Sequence, residues 1–356
     1  MHHKISNSAL DFIYALQLEV SSGSILDVRV RAARTNLPKS WEYPAFKLDV
    51  RGGHATITFH RPSNWPRIEL DVVAPGATSL GIALVRMTPK SDAQIRAELA
   101  QKSIAFLGLA RNCENAVVSA VAAFHKLRAM FGGSSVHICE NDSTDATPLQ
   151  LQALSEQGLI TLHTFRELDS KLPKRTERLA YLRNYLNDLA VSIPNLDYVC
   201  WLDMDSYVDE HFNEEGFLSC FNFPEAWDGV FPVMDGFYYD VWALRHKTMW
   251  PEDCMSQINS TWDLALGSGV ASRAPVFVRQ IAAHHMAGWM PVDSAFGGMA
   301  VYKASVCRSG RYVGIVDGEE VCEHVAFNQS IGANGGRLWI NPSFKVKSPL
   351  GVASPF

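Results

Sequence analysis

Hydrophobic and polar residues alternate with a period of two along the first part of the chain. Leu26, Val28, Val30 and Ala32 interleave with Asp27, Arg29 and Arg31, Ala55, Ile57 and Phe59 with Thr56 and Thr58, and Ile68, Leu70 and Val72 repeat the pattern. This period predicts half-buried strands. The turn formers between them, Gly52-Gly53, Pro62-Ser63-Asn64 and Pro75-Gly76, predict a small antiparallel sandwich or barrel.

The period then changes. Ser91-Asp92-Ala93-Gln94 reads as a capping box opening a short helix that runs to about Lys102. The continuous apolar run Ser103 to Ala110 has the character of a buried parallel strand. A helical stripe follows at Val117, Val121, Phe124, Leu127 and Phe131, then a strand at Val136 to Cys139. Leu149, Leu151 and Leu154 supply another helix, and Ile160 to Leu162 another strand. Such alternation predicts an α/β domain with a mostly parallel sheet. Ligands bind beyond the carboxyl ends of such strands, where the polar clusters Arg111 to Asn115 and Glu140 to Asp145 fall. The expected organisation is a β-rich module over residues 1–100 and an α/β domain over 101–356.

Composition narrows the function classes. The chain has 356 residues, 47% hydrophobic and 19% charged, which excludes a disordered or fibrous chain. A formal charge of −5 offers no global basic field for nucleic acid. No apolar run approaches the roughly 20 residues that span a bilayer, so at most peripheral membrane contact is expected. Seven cysteines without a CxxC pair fit a reduced compartment, hence a cytoplasmic protein or one peripheral on the inner face of the membrane.

The strongest chemical signal is Leu196-Asp197-Tyr198-Val199-Cys200-Trp201-Leu202-Asp203-Met204-Asp205. An apolar strand delivers Asp203 and Asp205, one residue apart, at its end, where both can face one divalent ion; hard carboxylate oxygens suit Mn²⁺ or Mg²⁺. An EF-hand loop is excluded, because Val208 stands where its glycine is required. Upstream, Lys174 to Asn184 opens a helix with the apolar stripe Leu179, Leu182, Leu186 and Leu189. Arg178 and Arg183 flank that stripe and can meet phosphate or ribose, while Arg175 reads equally as part of a solvated basic face. His284-His285, in a helix-like stretch from Val276 to Met286, reads as surface rather than as ligands.

With these residues in order, the chain resembles the GT-A class of nucleotide-sugar glycosyltransferases. Leu109-Ala110-Arg111-Asn112, Glu140-Asn141-Asp142-Ser143, Arg178 to Asn184 and Trp201 to Asp205 carry the resemblance, with Phe237 to Arg245, Asp293 to Gly298 and Cys322 to Phe327. Over about residues 103 to 345 the pattern is most similar to the fungal capsule-associated α-1,3-mannosyltransferases and their bacterial relatives.

The resemblance implies a GT-A, Rossmann-like sheet preceded by a small antiparallel β domain. It implies a nucleotide-sugar donor, with mannose from GDP-mannose as first choice, and a glycan or lipid-linked oligosaccharide acceptor. It places Ala110, Arg111, Asn112, Glu140, Asn141, Asp142, Arg178, Arg183, Asp203, Met204, Gly297 and Gly298 around the donor. Asp203, Asp205 and His324 become the metal ligands, the alternative for His324 being a satisfied surface or core histidine. Asp240 and Arg245, among aromatics, suit a sugar or form a structural pair, and Gly297-Gly298 gives close backbone approach or a bulge. Asp293, Glu323 and Asp240 are the catalytic candidates, Asp293 or Glu323 as the base that an inverting reaction needs; a retaining reaction, the kind the relatives catalyse, dispenses with a protein base where the leaving phosphate takes the proton. A sugar nucleotidyltransferase is disfavoured by the absence of a glycine-rich loop after the first strand. A catalytically silent carbohydrate-binding protein is disfavoured by the presence of both Asp203 and Asp205.

Overall fold

The computed structural model describes residues 89–205, 214–222, 227–247, 249–263, 275–280 and 289–347, together with the eight strands within residues 2–87. The three turn-forming clusters of the N-terminal region and His284-His285 lie outside the described residues.

The N-terminal strands form two antiparallel sheets. In the first, β3 (Ser24–Ala33) is flanked by β7 (Arg67–Val73), which also carries β1 (His2–Ser6), and by β4 (Ser40–Glu42) and β5 (Phe46–Val50). The second is β6 (His54–Arg61), β2 (Phe12–Val20) and β8 (Leu80–Met87). The register of β3 on β7 sets Val28 opposite Val72, Val30 opposite Leu70 and Ala32 opposite Ile68.

Helix α1 (Asp92–Leu99) begins with the expected capping box: the Ser91 amide donates to Gln94 Oε1 at 2.9 Å and the Gln94 amide donates to Ser91 Oγ at 3.4 Å. It buries Ile95 and Leu99 in the α/β core, so α1 packs with the α/β unit that follows it.

That unit is built on an eight-stranded sheet. Its first half is β11 (Thr161–Phe165), β10 (Gly133–Asn141), β9 (Ser103–Ala110) and β12 (Tyr198–Asp203), all parallel to their neighbours. The second half continues with β15 (Met299–Lys303), β13 (Gly229–Asp235), β18 (Leu338–Lys347) and β14 (Met290–Pro291), in which only β13 and β18 are parallel. The parallel pairs need crossovers, supplied by α2 (Val117–Arg128), α3 (Thr147–Glu156) and α5 (Arg175–Ser192), with the short α4 (Leu168–Lys171) before α5. Helix α2 buries Val117, Ala120, Val121, Ala123, Phe124 and Leu127, and the Phe124 ring lies 5.0 Å from that of Phe106 on β9. Each large apolar side chain removed from water contributes about 1.5–3 kcal/mol, so this face anchors the crossover.

Chain order in the parallel half runs outward from β9 to β10 and β11, then returns to β12 on the other side of β9. Strand direction of travel therefore reverses between β9 and β12, and the crevice at their carboxyl ends is where open α/β sheets bind ligands. Gly108 leaves room there for Met204, which is tucked beneath the strand ends: a Cβ on Gly108 would lie 2.5 Å from Met204 Sδ.

Candidate active site

A cavity of about 930 Å³ opens at that crevice. Its walls come from the ends of β9 and β12, the first three turns of α5, the loop 239–242, the Phe296-Gly297-Gly298 turn and the start of the helix Glu323–Ala333.

The carboxyl end of β12 presents Asp203 and Asp205 to this space. The Asp203 amide donates to Gly298 O at 2.9 Å, and the Gly297 amide donates to Asp240 Oδ2 at 3.1 Å. Both glycines have left-handed backbone, φ 70° and 80°, which lets the turn press its bare backbone against the strand end. Asn328 holds this turn from behind, donating to Ser294 Oγ at 3.0 Å and Ala295 O at 2.9 Å.

Arg183 organises the floor. Its Nε donates to Glu323 at 3.0 Å and its Nη2 to Asp203 at 3.2 Å, while the guanidinium sits 5.1 Å from the Trp201 ring and 5.0 Å from the Phe296 ring. Burial alone would depress its basicity, but the carboxylates of Glu323 and Asp203 outweigh that and hold it charged. Burial pushes the Asp203 carboxyl up to about 7; Arg183 pulls the other way, and Asp205 and Asp240 add to the rise. About a third of the Asp203 side chain stays accessible from the cavity. Asp240 is also raised, by burial first and then by Glu323. Burial and the nearby Arg183 keep His324 neutral.

Behind Arg111 and Arg178, which line the cavity, Asp169 forms ion pairs with both, its Oδ1 lying 3.0 Å from Arg178 Nε. Arg178 is further fixed by donating to Leu172 O at 2.7 Å and Pro173 O at 2.8 Å. Asn112, with φ 49°, ties this wall to the next loop by accepting from the Thr144 amide at 2.8 Å.

Of the residues singled out by sequence, Ala110, Arg111, Asn112, Asn141, Arg178, Arg183, Asp203, Asp205, Asp240, Gly297, Gly298, Glu323 and His324 are brought to this one cavity. Four others do not line it. Glu140 is buried and holds the Ser143 amide and Arg166, each at 3.0 Å. Asp142 accepts from the amides of Glu167, Leu168 and Asp169 at 2.8, 2.8 and 3.0 Å, capping α4. Met204 is fully buried. Asp293 sits on the chain segment paired with Arg245, its amide donating to Arg245 O at 2.9 Å, and burial raises its carboxyl. Conversely, Trp242, Tyr239 and Met255 line the cavity without having been individually chosen. Arg245 pairs with Asp253 rather than Asp240, and Trp242 Nε1 donates to the same Asp253 at 3.0 Å.

The donor set fits a hard divalent cation in part. Asp203 uses one oxygen toward Arg183, and Asp205 is exposed to the cavity. Mg²⁺ and Mn²⁺ are commonly held by one or two carboxylates and completed by substrate phosphates, which this pair allows. Among the described residues, no three His, Cys, Asp or Glu side chains stand together as a ligand cluster, so His324 does not converge with the two aspartates.

No family model and no curated protein sequence matches the chain. Among solved structures it is similar to the mannosyltransferase PcManGT from Pyrobaculum calidifontis in complex with GDP-Man and Mn²⁺, at 13% identity and TM-score 0.41 over 70% of this chain and 57% of that one. It is similar to S. aureus TarS at 11% identity and TM-score 0.38, over 69% of this chain and 37% of that one. A third is glucosyl-3-phosphoglycerate synthase from Mycobacterium tuberculosis with Mn²⁺, UDP-glucose and glycerol 3-phosphate, at 11% identity and TM-score 0.38 over 74% of this chain and 77% of that one. The chain thus spans little more than half of the first of these and about a third of the second.

Proposed function

We propose that the chain is a metal-dependent glycosyltransferase that moves a hexose, mannose from GDP-mannose as first choice, onto a glycan hydroxyl with retention of configuration. The observation that carries this reading is the placement of Asp203 and Asp205 at the sheet's crevice, in one cavity with Arg111, Arg175, Arg178 and Arg183. The ordered motifs that resemble the capsule-associated mannosyltransferases support it, and about 930 Å³ suits a nucleotide sugar.

Asp203 and Asp205 would hold the Mn²⁺ or Mg²⁺, which when bound supplies a Lewis acid against the charge developing on the leaving nucleoside diphosphate. The chain's own groups orient the donor. Arg111 and Arg178, pre-aimed by Asp169, face phosphate or ribose. Gly297 and Gly298 let donor or acceptor approach the backbone. Glu323 is committed to Arg183, and Asp240 to the Gly297 amide. That leaves the acceptor proton to pass to the leaving phosphate oxygen on the same face, as retention allows. Tyr239, Trp242 and Met255 present apolar surface to a sugar ring on the acceptor side. Among the described residues no helix is long and apolar enough to cross a membrane. Reaction at the cytoplasmic face, on a surface polysaccharide or lipid-linked oligosaccharide, is the corresponding setting.

Thermal unfolding of the wild type and of Asp203→Ala, with GDP, UDP, GDP-mannose and UDP-glucose in Mn²⁺ or in chelator, tests the reading. A ligand at a hundred times its Kd stabilises the native state by about 2.7 kcal/mol. The expected result is a Mn²⁺-dependent rise in the wild type that Asp203→Ala abolishes. A variant that keeps metal-dependent nucleotide binding contradicts the assignment.

A further inference from the structure

Two buried side chains on the cavity floor hold polar atoms without partners. His324 is 4% exposed and, among the described residues, neither of its ring nitrogens has a hydrogen-bond partner. Its nearest carboxylate oxygen, Glu323 Oε1, is 3.7 Å from Nε2, beyond hydrogen-bond reach. The ring is pinned by stacking on Phe296, with centroids 3.8 Å apart and planes at 19°, and by an edge contact with Tyr312 at 5.7 Å. Arg183 uses Nε and Nη2, but its buried Nη1 has no partner among the described residues. Buried polar groups are nearly always hydrogen-bonded, and an unpaired one is costly. Three such atoms on two cavity-lining side chains therefore mark a place where a ligand completes the bonding.

The ligand's chemistry follows from the neighbours. The described residues supply no three-ligand cluster that would bring a cation to His324. A neutral imidazole offers one donor and one acceptor, and a sugar hydroxyl is both at once. Arg183 Nη1 adds a donor, and Phe296 carries the imidazole on one face of the Gly297-Gly298 turn. We propose that His324, with Arg183 Nη1, reads the hydroxyl groups of the transferred hexose and is a specificity-determining residue of the donor site, outside the metal's ligand set. This rests on the transferase reading and refines the site within it: the metal is left to Asp203, Asp205 and the diphosphate.

The test is calorimetric titration of the full chain in Mn²⁺. GDP is compared with GDP-mannose, and UDP with UDP-glucose, for the wild type, His324→Ala and His324→Gln. The readout is the affinity ratio of nucleotide sugar to bare nucleoside diphosphate, which a merely structural change would not move selectively. For the pair that the wild type binds, His324→Ala is expected to keep the nucleoside diphosphate within about twofold and to lose about tenfold on the nucleotide sugar. His324→Gln, which keeps a donor and an acceptor, is expected to recover part of that loss; it also stands in if the alanine variant does not fold. Loss of more than about tenfold in Mn²⁺-dependent binding of the bare diphosphate makes His324 a metal ligand and overturns the proposal. An unchanged ratio overturns it as well. A wild type that binds no member of either pair overturns the transferase reading itself, a result distinct from both.

Discussion

Replacing Arg183 with methionine removes the cation that links the two halves of the cavity floor, and the structure gives the size of the effect. Deleting one partner of a buried ion pair costs about 3–5 kcal/mol, because the other charge stays behind uncompensated. The Glu323 side chain is only 6% accessible, whereas that of Asp203 is 36% accessible and water takes over part of its solvation. The loss therefore sits near the lower bound, about 3 kcal/mol, most of it from Glu323. The aromatic cage of Trp201 and Phe296 changes less, since a thioether keeps favourable contacts with rings. For a unit of this size each kcal/mol shifts Tm by about 2–4 °C, so the fall is about 6–12 °C. Thermal unfolding followed by circular dichroism in chelator, without ligand, measures it. The double variant Arg183→Met/Glu323→Gln removes both buried charges and should recover about half of the loss. A single variant that melts within about 2 °C of wild type, or a double variant as unstable as the two single effects added, refutes the claim that Arg183 and Glu323 form a coupled buried pair.

Other expectations follow from the same geometry. The raised Asp203 carboxyl, about 7 against an ordinary 3.8, favours its protonated form in the fold. Its contribution to stability is complete below the ordinary value and is lost as pH rises through 7. A cation must displace that proton, so Mn²⁺ affinity should climb about tenfold per unit toward pH 7 and then level; a flat titration profile contradicts this. Asp169→Ala should raise the KM for the donor about fivefold to tenfold by releasing Arg111 and Arg178, with little change in Tm, because its carboxylate is 43% accessible; steady-state kinetics and a melting curve separate the two. Asp142→Ala should cost about 1–2 kcal/mol as a lost helix cap and leave nucleotide affinity unchanged by calorimetry. Gly314→Ala should destabilise the α5 entrance, since its Cβ would lie 2.0 Å from the Thr176 carbonyl oxygen; unfolding at unchanged denaturant midpoint would contradict that packing.

The parallel half of the sheet was legible because its signals are local. The apolar run Ser103 to Ala110 is β9 residue for residue, and the Ser91/Gln94 capping box appears at the start of α1. Helix α5 shows the limit of such patterns. Leu179 and Leu189 of the expected stripe are only partly buried, while Arg183 and Asn187 are buried. A polar side chain enters a core only when partners distant in sequence meet it, here Glu323 for Arg183 and the Cys307 carbonyl for Asn187. Nothing in the helix itself announces them. The acids of the second loop have the same origin. Glu140 and Asp142 stand in a polar cluster beyond a strand, as binding residues do, but Arg166 and the start of α4 occupy them. Asn141 and Asn328 each begin an N-x-S sequence, yet both are buried, and Asn328 holds the cavity turn. Met204 sits between the two key aspartates in sequence and points into the core beneath Gly108 instead, as alternation along a strand requires.

The most direct measurement of the central claim is anomalous scattering from a crystal of the full chain soaked with Mn²⁺ and GDP. A single manganese peak is expected within coordination distance of the Asp203 and Asp205 carboxylates, about 2.0–2.3 Å, with the diphosphate on its far side. A peak elsewhere, or nucleotide bound with no metal at those two aspartates, would contradict it.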